Sequence, residues 1–151
     1  MTLPGMILLV IIFLFCALNR RRLSALIRKI KLPALVLYFA ASVPLIIVEE
    51  LVNCSPAWCH RVLVPPTLLP VLFFMLFLMI GVKLTHPKTA WIPSLVFAAA
   101  GMVFEFMLGG AKAELHALLA SSPLAFSLIE IWVGFSYVFV SLVPLTILIG
   151  L

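Results

Sequence analysis

Aspartate is absent from the 151-residue chain, and its only acidic side chains are five glutamates. Charged residues make up 10% of the sequence, against roughly 25% in a soluble domain. There is no phosphate-cradling glycine loop, no Gly-x-Ser-x-Gly elbow and no aspartate for magnesium, so nucleotide-driven chemistry and the hydrolase serine are both set aside. The three histidines, His60, His86 and His116, stand outside the centres of the apolar runs, where membrane haem would need its axial ligands. No Gly/Ser linker, repeat or low-complexity tail divides the chain, which reads as one domain over residues 1–151.

What is abundant is apolar. Hydrophobic residues reach 66% and the mean hydropathy is +1.34. A water-soluble fold could not bury so much, and a disordered chain or a nucleic-acid module would not carry it. The composition predicts an all-α, polytopic integral membrane protein. Each crossing needs about 20 residues, and apolar runs at 3–18, 32–52, 62–82, 90–108 and 123–149 predict a bundle of about five spans. Positive charge follows the first run instead of preceding it, so that run reads as a retained anchor rather than a cleaved signal peptide.

The basic residues orient the bundle. Arg20, Arg21, Arg22, Arg28, Lys29 and Lys31 fill the segment 19–31 after the first run, and Lys83 and Lys88 follow the third. Only Arg61 and Lys112 fall on the other side. Positive charge accumulates on cytoplasmic loops, so the N-terminus is expected outside, the C-terminus inside, and the protein in the plasma (inner) membrane. The basic segment also suits anionic lipid headgroups. Its Leu23, Leu26, Ile27 and Ile30 recur at helical spacing and predict a short amphipathic helix on the membrane surface; a continuation of the first span is the rival reading.

On that topology every carboxylate lies toward the outside. Glu49 and Glu50 close the second span, Glu105 ends the fourth, and Glu114 shares a surface loop with His116. Glu130 lies seven residues beyond Pro123, about 10 Å below the outer boundary. Ionisable groups inside spans are costly and mark functional sites by default. Glu105 and Glu130 are therefore the expected catalytic acid and base, with Glu49 and His116 as further candidates. Each lies on a seam at helical spacing: Ser127, Glu130, Gly134, Tyr137 and Ser141 in the last span, Ser94, Ala98, Gly101 and Glu105 in the fourth, and Tyr38, Ser42 and Glu49 in the second. Small and hydroxyl residues on such seams let helices approach and bond across the contact. Tyr38, Tyr137 and Ser141 are the expected substrate-binding positions. Two ionised carboxylates in one low-dielectric pocket repel, so Glu105 and Glu130 should share a proton or a cation.

Cys54 and Cys59 are expected to form a disulfide in the loop 53–60, since a redox-active pair is more often spaced Cys-x-x-Cys and Cys16 supplies no second pair. One ligand pair is too few for zinc, and no Glu-x-x-His marks a di-iron helix, so no metal is expected and no cofactor is indicated. Partners are membrane lipids together with other membrane subunits or further copies of the chain, and not nucleic acid. Three functions fit: an accessory subunit of a larger membrane complex, which short loops and missing motifs favour; an enzyme acting on a lipid or isoprenoid through its outer glutamates; or a proton-coupled carrier or channel working as an oligomer.

Overall fold

The computed structural model describes residues 3–54, 65–109 and 112–149. Among them there are six helices and no strand: α1 (Leu3–Arg28), α2 (Ala34–Cys54), α3 (Pro65–Thr85), α4 (Trp91–Met107), α5 (Lys112–Ser121) and α6 (Pro123–Ile149). This is an all-α membrane bundle. α1, α2 and α6 are each long and apolar enough to cross a bilayer; α4 and α5, whose axes turn by 86° at their junction, make a broken fourth candidate. The apolar stretch Leu69–Thr85 of α3 is shorter.

The last helix is the axis of the bundle. α6 is apolar around its whole circumference, the pattern of a helix enclosed by others, and from Ser136 to Ile147 every residue is buried. α1, α2 and α4 pack around it, and α3 lies farther out. The core joins Tyr38 and Ile46 of α2, Met75 of α3 and Phe139, Leu142 and Leu145 of α6. Facing pairs set the directions. Gly101 and Phe97 of α4 meet Tyr137, while Phe106 meets Phe126, so α4 runs antiparallel to α6. Ser24 and Arg28 at the end of α1 meet Thr146 and Ile147 at the end of α6, so these two are parallel.

Two sequence expectations change here. The basic segment forms no separate surface helix, because α1 continues through it to Arg28. Ser24 and Arg28 are four residues apart and share a face. The Ser24 hydroxyl donates to the Thr146 carbonyl at 3.3 Å, and the Arg28 guanidinium donates to the Thr146 and Ile147 carbonyls. The last carbonyls of a helix lack partners within it and carry partial negative charge. Capping them holds the basic segment in line with α1. Arg20 also stands over the Trp91 ring of α4, 5.6 Å from its centroid. The second change is α5, a ten-residue helix where a surface loop was expected.

The seams pack closely, but most of their hydroxyls do not bond across them. Ser42, Ser127, Ser141 and Thr146 donate to carbonyls three or four residues back in their own helices. Among the described residues, the hydroxyls that reach a second helix are those of Ser24, Tyr38 and Tyr137.

Candidate functional site

Four glutamates meet at one end of the bundle, from the C-terminal turns of α2 and α4 and the start of α6. Glu105 is at the centre, an electrostatic neighbour of Glu49, Glu50 and Glu130. Tyr137 Oη donates to Glu105 Oε1 at 3.3 Å. The tyrosine can take that position because residue 101 is glycine. A Cβ there would lie 2.5 Å from three ring carbons, so the ring rests on the α4 backbone. Phe97 meets the same ring edge-on, with centroids 5.2 Å apart.

A second polar line runs between α2 and α6. Trp132 Nε1 donates to Asn53 Oδ1 at 2.8 Å, and Asn53 Nδ2 donates to Glu49 Oε1. Ser136, one turn beyond Trp132, lies beside the Glu49 carboxyl while its hydroxyl remains without a hydrogen bond. Sequence reasoning missed Asn53, Trp132 and Ser136. Their signal was present in the spacing: Asn53 is four residues after Glu49, and Ser136 four after Trp132. Because α6 is central it carries polar groups on two faces, one toward α4 and one toward α2.

Glu130 is set apart from this network. It is 8% exposed, and its Oε1 is buried with no hydrogen-bond partner. It lines an open cleft of about 480 Å³ between α4 and α6, together with Met102, Phe106, Met107, Phe126 and Ser127. Glu105 is not among the lining residues, so the two expected catalytic groups are electrostatic neighbours that do not share the cleft. Gly134 faces Met102 beside the cleft.

The remaining candidates lie at varying distances from this centre. His116 of α5 stacks on Phe106, with centroids 4.4 Å apart, and its Nε2 donates to the Phe106 carbonyl at 3.0 Å. It meets the cleft through that ring. Tyr38 is fully buried against α3, its hydroxyl donating to the Met75 carbonyl at 2.9 Å, and Ser141 is fully buried in α6. Neither is among the residues lining the cleft. The expected Cys54–Cys59 bond, His60 and Arg61 lie outside the residues whose side chains are described. Among the described residues no three His, Cys, Asp or Glu side chains are placed to hold a metal ion.

Comparison with protein-family models, with curated proteins and with solved structures finds no match for this chain.

Proposed function

We propose that the chain is a membrane-embedded acid–base enzyme acting on a lipid or isoprenoid that enters from the bilayer, with Glu105 and Glu130 handling the proton. The carrying observation is the Glu130 Oε1, buried and unpartnered in the wall of an apolar cleft. A buried polar atom left without a partner costs about 1–3 kcal/mol. A ligand that supplies the missing hydrogen bond would recover that cost. Val103, Met107 and Ile131 at the cleft rim are more than half exposed, so its mouth faces lipid.

Acid–base chemistry on a long unsaturated chain needs one group that meets the substrate and a second that takes up the returning proton. Glu130 stands in the first place. Glu105, held by Tyr137 outside the cleft lining, stands in the second by exchanging the proton with Glu130 and not with the substrate itself. Moving a double bond adds a proton at one carbon and removes one from another, which leaves the atom count unchanged and requires no redox partner.

The reading keeps the orientation drawn from the basic residues: five spans, N-terminus outside, C-terminus cytoplasmic, inner membrane, with the carboxylates toward the outside. The test is to incubate purified protein in liposomes with candidate polyunsaturated lipids and isoprenoids in deuterium oxide. Solvent deuterium should appear in a rearranged product, and Glu105→Gln or Glu130→Gln should abolish it. The accessory-subunit reading keeps one observation of its own, the uncovered apolar face of α1 at Ile7, Ile11, Leu14 and Leu18. A stoichiometric complex with other chains in mild detergent, and no deuterium in any product, would favour it over catalysis.

A further inference from the structure

The polar groups around the α4–α6 cleft are few, and the charge among them has one sign. Among the described residues, Glu130 is the only ionisable side chain in the lining, and none of the lining residues is basic. Glu105, which does not line the cleft, is an electrostatic neighbour of Glu130 and brings no positive charge. Glu130 is more than nine-tenths buried, and its Oε1 has no donor. Phe106 and Phe126 pack edge-to-face in the same wall, with centroids 5.8 Å apart; His116 stacks on one face of Phe106, and the aromatic faces left open are negative. Met102, Met107, Val103 and Ile131 complete a surface suited to a hydrocarbon chain.

We infer that this cleft binds an amphiphile whose head is a protonated amine, taken in from the bilayer between α4 and α6. The N–H of the head donates to the Glu130 carboxylate, its positive charge sits against the Phe106 and Phe126 rings, and its chain lies along the methionines. An alcohol of the same length could supply a hydrogen bond but not the ion pair that balances an ionised Glu130. A charge-assisted bond is roughly twice as strong as a neutral one, and the aromatic contact adds to it. The inference rests on the proposed function only in taking Glu130 as the residue that meets the ligand. Binding itself requires no turnover.

The experiment uses two probes, dodecylamine and dodecanol, each carrying a diazirine on the chain, with the full protein in dodecyl maltoside. After photolysis, cross-linked residues are mapped by mass spectrometry. The amine should label residues 102–107 and 126–131 about tenfold more than the alcohol. Glu130→Gln should erase that difference. Met107→Trp, at a position already half exposed, should fill the cleft and block both probes while leaving Glu130 in place. Equal labelling by the two probes, unchanged amine labelling in Glu130→Gln, or unchanged labelling in Met107→Trp would each overturn the inference. If Glu130→Gln does not fold, the wild-type comparison and Met107→Trp still decide. Amine selectivity without deuterium incorporation would sink the enzyme and keep the site. Turnover without amine selectivity would do the reverse.

Discussion

Glu130 pays for its position in stability, and that can be measured apart from any activity. Its buried Oε1 lacks a partner, and replacing a carboxyl of this kind by an apolar group of similar size is often neutral or stabilising. Glu130→Leu is therefore expected to hold or raise the detergent melting temperature by the equivalent of about 1 kcal/mol while removing function. A fall of several degrees would mean that the carboxyl is structurally paired. The two glycines on the same seam should behave differently. At Gly101 the added methyl meets the ring of Tyr137, which Phe97 and Glu105 hold in place, so Gly101→Ala should cost about 1–3 kcal/mol and disturb the Tyr137–Glu105 bond. At Gly134 the methyl meets Met102 Sδ at 2.8 Å, the flexible end of a side chain. There the gain in helix propensity of about 1 kcal/mol should offset the adjustment, leaving Gly134→Ala near neutral. Thermal unfolding of the two variants side by side checks the contrast. The glutamates and their seams were legible in the sequence because charge in an apolar run is conspicuous and helical spacing assigns it a face. Asn53 and Trp132 were harder to read: their spacing from Glu49 and Ser136 was there, but the bond that joins them spans 79 residues and lies outside any local pattern.

At the scale of elements, the sequence showed apolar runs well and their continuations poorly. The span expected at 123–149 coincides with α6, because an all-round apolar helix has only one reading. The end of α1 was harder: Leu23, Leu26, Ile27 and Ile30 fit a surface helix and a continued one equally. Ser24 and Arg28 decide it through carbonyls more than a hundred residues away, which local periodicity cannot contain. Likewise α5 carries Lys112, Glu114 and His116 and reads as a loop until His116 docks on Phe106. The capping account makes a specific expectation. Arg28 is exposed, so Arg28→Ala should cost only about 1 kcal/mol, and Ser24→Ala a comparable amount; Arg28→Lys should recover part of the loss, since an ammonium can serve one carbonyl but not a fork. Limited proteolysis between residues 29 and 33 should quicken in Arg28→Ala. Unchanged cleavage and melting would separate α1 continuity from the α6 cap.

For the whole molecule, packing and charge together set which way the carboxylate end points, and each can be checked against the other. Arg20 over Trp91, and Arg28 on the end of α6, place the α1 terminus, the α4 start and the α6 terminus at one end of the bundle. The glutamates of α2, α4 and α6 occupy the other. Eight of the ten basic residues belong to the first end by position, and moving that many charges across a membrane is what the positive-inside bias opposes. The carboxylate cluster is therefore expected to open outward. In a variant lacking Cys16, Cys54 and Cys59, single cysteines at Arg22, Lys88 and Ser121 would each be exposed on the fold. A membrane-impermeant maleimide added to intact cells should label Ser121→Cys and leave Arg22→Cys and Lys88→Cys untouched until the cells are lysed. Ser24 is unsuitable as a reporter, because it is buried against Thr146 and would stay silent from either side. Labelling of Arg22→Cys from outside would invert the molecule and aim Glu105 and Glu130 at the cytoplasm. Labelling of Arg22→Cys and Ser121→Cys from the same side would instead mean an even number of crossings between them, with α3 or the bent α4–α5 pair failing to span.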